Sequence, residues 1–242
     1  MRLLVSIIWF AWLAFTTIVA SLCALPLWLM TLPLKHRYHV LSRVGAIWSW
    51  SVLLPMRVLG LWRVSIVGAD KIPRATSCVY VANHASQLDI FCGFLTFKHV
   101  RFVSKRALFF VPFLGWGMAL IGSLGVQRGD FGSMKRMVQL CVERLGHGDA
   151  LFLFPEGGRS KDGKIQPFKA GPFQIAATAG RPIVPIAIAG TARALPKRGF
   201  LVNFPVEITI TFLEPVPAER VKATDPRELA EQTRERITEA LG

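Results

Sequence analysis

The run Asn83-His84-Ala85-Ser86-Gln87-Leu88-Asp89 joins an imidazole to a carboxylate, the pair of groups that can move a proton and hold its carrier in place. If Asp89 accepts the Nδ1 proton of His84, the ring is fixed in the tautomer whose Nε2 can take a proton from an alcohol. This is the base and orienter of a serine-protease triad without the serine. The two residues are five apart, which on one continuous helix would set them about 140° from each other. They can meet only if His84 lies in a turn and Asp89 on the first turn of a helix behind it. Val79-Tyr80-Val81-Ala82 reads as a buried strand ending at Asn83, and Ser86 suits the N-cap of the helix that follows. His84 then stands at the carboxyl end of a strand, where open α/β sheets place their ligands. On spacing alone, a histidine that merely caps a helix start accounts for the pattern equally well.

A second buried strand runs into Phe154-Pro155-Glu156-Gly157-Gly158-Arg159-Ser160. Glycines let backbone N–H groups approach an anion, and the arginine fork matches phosphate oxygens. A tight turn carrying a solvated arginine is the bland alternative. Lys105 follows a third apolar run and Arg128 a fourth; each is either a surface cation or, with Arg159, part of one cationic pocket at converging strand ends. Gly158 to Lys164 imitates the G-x-x-x-x-G-K nucleotide loop, but Ile165 stands where Ser or Thr should bind magnesium, and Pro167 follows where the helix should open.

These segments need a scaffold. Apolar β-rich runs at Arg63–Val67, Cys78–Ala82, Arg101–Val103, Ala150–Phe154, Ile183–Ala189 and Val206–Phe212 alternate with helical stretches at Ser86–Phe97, Phe131–Leu145, Pro172–Ala179 and Pro226–Leu241. The alternation predicts an α/β domain over residues 63–242, a central mostly parallel or mixed sheet covered by helices. The last helix has a mixed-charge solvated face, with Leu229, Ile237 and Leu241 inward.

Residues 1–62 predict an N-terminal hydrophobic helical membrane anchor. Positions 3 to 34 hold no charged residue and no histidine. As one helix they would extend about 48 Å against a hydrocarbon core of about 30 Å, so breaks are expected at Pro26 and Pro33. Gly45 to Met56 is short for a span and suits a re-entrant or interfacial helix. Between the two apolar stretches, Lys35, His36, Arg37, His39 and Arg43 mark either a cytosolic loop or a headgroup contact. The apolar run is longer than a signal peptide's and no A-x-A site follows it, so an uncleaved anchor is expected.

Hydrophobic residues make up 52% of the 242, charged residues only 18%, and the net charge is +14. Such a balance calls for an anionic partner. No RNA- or DNA-binding signature accompanies the scattered basic residues, so the expected partner is an anionic bilayer surface and not nucleic acid. Cys23, Cys78, Cys92 and Cys141 have neither CxxC pairing nor metal-ligand spacing and read as buried thiols of a reducing compartment.

Taken in order, Asn83-His84-x4-Asp89, Lys105 with Phe109 to Gly115, Gly125 to Arg128, Phe154 to Ser160 and Val184-Pro185-Ile186 resemble the conserved blocks of the glycerolipid acyltransferase family with its H-x4-D motif. The likeness spans about residues 79 to 188. It implies transfer of an acyl chain from acyl-CoA or acyl-carrier protein to the 2-hydroxyl of a lysophosphatidate, at the cytosolic face of a bacterial inner membrane, with no cofactor or metal. On the same pattern His84 would be the base and Asp89 its partner. Lys105, Arg128, Glu156, Gly157, Gly158 and Arg159 would bind the acceptor and its phosphate. The family usually has Thr where this chain has Gly158, which opens the question of acceptor identity. Another lysolipid acceptor, such as a lyso-ornithine lipid, is the rival within the class; a non-catalytic basic membrane-binding protein is the rival outside it.

Overall fold

The computed structural model describes residues 1–34, 37–73, 77–95, 100–127, 129–160 and 164–242. Helices α1 (Arg2–Met30) and α2 (Arg37–Val58) form an N-terminal hairpin. Then come β1 (Trp62–Val67), β2 (Val79–Ala82), α3 (Leu88–Leu95), β3 (Val100–Lys105), α4 (Leu114–Leu120), β4 (Leu124–Val126), α5 (Phe131–Gly146) and β5 (Ala150–Leu153). The chain closes with α6 (Gly171–Ala179), β6 (Ile183–Ala189), α7 (Thr191–Ala194), β7 (Val206–Phe212), α8 (Ala218–Ala223) and α9 (Pro226–Leu241).

The seven strands form one sheet in the order β1-β7-β6-β2-β5-β3-β4. Neighbours run parallel except β6 and β7, so the sheet is mixed, as the alternation of segments predicts. Central strands are buried on both faces. In β2, Tyr80 and Ala82 enter one core with Phe91, Phe102 and Phe152, while Val79 and Val81 enter a second with Leu145, Phe173 and Leu229. This period-two division is why these strands read as continuous apolar runs. The β2–β5–β3 register places Tyr80, Phe152 and Phe102 in one row, so the segments after all three strands leave the sheet at the same end.

Helix boundaries follow local chemistry. Asp130 caps α5 by accepting the Ser133 N–H, and Asp225 caps α9 with Pro226 in its first turn. Helix α3 is described as far as Leu95, and the expected continuation to Phe97 falls outside the described residues.

Three expectations for the N-terminus are corrected. Helix α1 runs through Pro26 to Met30, and Pro33 lies in the turn beyond it. Pro26 is so near the helix end that the proline removes one hydrogen bond, and Thr31 recovers the final turn by bonding the Leu27 carbonyl through both N–H and hydroxyl. Helix α2 is far longer than Gly45–Met56, because Arg37, His39 and Arg43 are on the helix and not in a loop. His39 reaches the buried Asp149, 3.5 Å away, which also pairs with Arg101. Lys35 and His36 lie outside the described residues. Finally, Cys23 is exposed on α1, whereas the other three free cysteines are buried.

The hairpin is part of the core. Trp9, Val52, Leu53 and Met56 share a cluster with Trp62, Phe91 and Phe212. The Ser6 hydroxyl accepts the Val202 N–H, and Trp9 donates to the Val52 carbonyl. Ser21 donates to the Phe113 carbonyl, and a Cβ on Gly117 of α4 would lie 2.7 Å from the Ser21 hydroxyl, so the two helices touch through a glycine. Along the opposite face α1 exposes Leu4, Ile8, Phe15, Leu22 and Leu29.

Candidate active site

The chain leaves β2 at Ala82 and folds back over the start of α3, which brings His84 and Asp89 together. Asp89 Oδ2 lies 2.9 Å from His84 Nδ1 and accepts the N–H groups of Ala85 and Ser86, each at 2.8 Å. A carboxylate oxygen has no proton to give, so Nδ1 is the donor and Nε2 of the neutral ring is the basic atom. Asp89 is fully buried in the first turn of α3, where the helix dipole favours a negative charge. Among the described residues its Oδ1 has no hydrogen-bond partner. The spacing that a single helix could not use is thus resolved by a turn. Ser86 caps that turn by accepting the Leu88 N–H while donating to the Leu195 carbonyl.

The segment after β5 grips His84 on three sides. Phe154 stacks on the imidazole with centroids 4.0 Å apart and planes 17° apart. Glu156 Oε1 accepts the His84 N–H at 2.6 Å, and Oε2 accepts the Gln166 N–H at 3.0 Å. The His84 carbonyl in turn accepts the Ser160 N–H at 2.8 Å. Glu156 is only 9% exposed, and burial raises its pKa above the ordinary carboxylate value in spite of those two N–H donors. Gly157 adopts φ 72°, and a Cβ there would stand 2.8 Å from Lys169 Nζ, so glycine serves both the turn and the lysine that lies over it. From the other neighbour of β2, Ile188 of β6 exchanges two hydrogen bonds with the Asn83 side chain, at 2.8 and 2.9 Å.

The other residues expected at the site are dispersed around this centre. Lys105 is exposed at the end of β3, two strand spacings or about 10 Å from β2. Gly158 and the half-buried Arg159 continue the turn after Glu156. Arg128 lies outside the described residues. Two contributors escaped the sequence reading. The stacking role of Phe154 depends on a contact 70 positions away, although an aromatic at a strand end is a signal for it. Lys197 donates its Nζ to the Arg159 carbonyl across 38 positions, and no local pattern marks it.

A cavity of about 260 Å³ opens between α1, α2, α3, α4 and β3. Its wall is mostly apolar, with Leu13, Trp48, Phe94 and Met118, and it includes Ser104 and Gln87, the latter three residues beyond His84. Among the described residues no three His, Cys, Asp or Glu side chains gather as metal ligands do.

Residues 63–189 match the family model described as Acyltransferase. The chain is 36% identical to the chloroplastic 1-acyl-sn-glycerol-3-phosphate acyltransferase BAT2 of Brassica napus, over 67% of this chain and 45% of that protein. It is 34% identical to the chloroplastic enzyme LPAT1 of Arabidopsis thaliana, over 74% of this chain and 49% of that one. The chain thus spans about half the length of these curated relatives. In three dimensions it resembles the crystal structure of the 1-acyl-sn-glycerophosphate (LPA) acyltransferase PlsC from Thermotoga maritima. That match has a TM-score of 0.74 at 23% identity, covers 99% of this chain and 98% of the other, and speaks to the fold.

Proposed function

The chain belongs to the acyltransferase family, and from that premise we propose that it transfers an acyl chain from acyl-CoA or acyl-carrier protein to the 2-hydroxyl of a 1-acylglycerol-3-phosphate, giving phosphatidic acid. The observation that carries the reading is the His84–Asp89 pair, 2.9 Å apart at a strand end, which leaves Nε2 as the basic ring atom. In this mechanism Nε2 takes the proton of the acceptor hydroxyl as its oxygen attacks the thioester carbonyl. The C–S bond then breaks, and the departing thiolate takes the proton back from the imidazolium. Asp89 holds the ring through both steps and offsets its transient positive charge. No step calls for a metal or cofactor. The carboxylate of Glu156 is committed to two backbone N–H groups, so its role is to position His84, while Lys105, Arg128 and Arg159 supply charge for the phosphate. Hydrocarbon from an acyl chain suits the cavity beside Gln87.

The membrane reading rests on α1, which is long and apolar enough to cross a bilayer. At 29 residues it extends about 43 Å, and one face is fastened to the α/β domain from Ser6 to Ser21. A helix held in this way lies in one leaflet with its Leu4–Leu29 face in lipid, leaving the domain on the cytosolic side of a bacterial inner membrane.

Labelled acyl transfer to a panel of lysolipids tests the proposal. The 1-acylglycerol-3-phosphate should be the preferred acceptor, and His84→Ala should lower turnover on the order of 10²–10⁴-fold in a folded protein. Near-normal turnover by that variant would rule out His84 as base, and preference for a lyso-ornithine lipid would replace the acceptor.

A further inference from the structure

The peptide unit joining Arg159 to Ser160 is held at both ends. Its N–H donates to the His84 carbonyl, and its C=O accepts from Lys197 Nζ. One rigid peptide therefore stands between the backbone of the proposed base and an ammonium group. Lys197 comes from the segment following α7, and Ser86 binds the same segment at the Leu195 carbonyl, so the lysine is anchored to the catalytic turn by two routes.

An ammonium has three N–H donors, and Arg159 uses one. Lys197 is half-buried, and among the described residues no carboxylate lies within ion-pair distance of it. The exposed Lys169 lies over Gly157 of the same turn, and among the described residues it too has no ion pair. A partly desolvated cation without a counter-ion is unfavourable unless an anion completes it. That turn also lacks a side-chain donor at position 158, which is glycine.

On the reading of the site as an acyl-acceptor centre, we propose that Lys197 is a second cation of the acceptor-phosphate site. Its two remaining donors bind the phosphate monoester beside Arg159, supplying the contact that Gly158 cannot. By polarising the Arg159 carbonyl it also strengthens the Ser160 N–H bond to His84, tying phosphate binding to the placement of the base.

The test uses the full chain in mixed micelles, with Lys197→Gln, which removes the charge but keeps an N–H donor, and Lys197→Arg, which keeps the charge. Binding of 1-acylglycerol-3-phosphate is measured without acyl donor, and turnover is measured on that lipid and on uncharged 1-acylglycerol. Lys197→Gln should weaken binding and raise the KM for the phosphate acceptor about 10-fold or more. The loss should be several-fold larger on the phosphate acceptor than on the uncharged one, and Lys197→Arg should recover most of it. Unchanged phosphate-acceptor binding in Lys197→Gln would overturn the proposal, as would equal losses on both acceptors. Absence of turnover in the unsubstituted protein despite lipid binding would instead refute the reaction, which the donor-free arm separates from the role of Lys197.

Discussion

At the residue scale the site turns on one oxygen. Three donors converge on Asp89 Oδ2, and no amide can satisfy them as a carboxylate does. If asparagine puts its oxygen there, its NH₂ fills the buried position of Oδ1, which makes no hydrogen bond among the described residues. If it turns over, the NH₂ faces three other donors. Asp89→Asn should therefore lower kcat on the order of 10²–10⁴-fold with a much smaller change in acceptor KM, measured by steady-state kinetics on protein whose circular dichroism is unchanged. This pair was legible in the sequence because its members are five positions apart and one turn joins them. Phe154 and Lys197 were not, because each acquires its role only when distant segments meet.

At the element scale, Glu156 joins the ends of β2 and β5. Burial raises its pKa, so the folded state favours the protonated acid more than the unfolded chain does. The stability this group contributes is present below the unfolded carboxylate pKa and is lost as pH rises through the folded value. Glutamine does not titrate. Thermal melts from pH 4 upward should therefore show the unsubstituted protein losing stability relative to Glu156→Gln as pH increases; a constant difference would contradict the burial argument. The bounds of β6, β7 and α9 were readable because apolar period and capping residues agree there. The short helices α4, α7 and α8 were not, since segments of seven residues or fewer carry too little periodicity. Proline misled at α1 because its cost depends on how much helix follows it.

For the whole molecule, the α1–α2 hairpin and the α/β domain cannot be separated without opening a core. Trp9 is 2% exposed and packs edge-on against Trp62, their centroids 5.6 Å apart. Losing a buried aromatic of this size costs about 3–5 kcal/mol, a large share of a typical domain's stability. A chain lacking residues 1–30 should therefore fail to give a soluble domain with a cooperative melt, as size-exclusion chromatography and circular dichroism would reveal. A monomeric, two-state product would show the hairpin to be dispensable. The bond between Ser6 and Val202 also orders events in time. These partners are 196 positions apart, so at ribosomal rates α1 emerges roughly 10–40 s before the strand-side residue that clasps it. On the proposed reading of α1 as a membrane helix, lipid receives the newborn helix during that interval, and the fold is completed upon a chain already berthed at a bilayer.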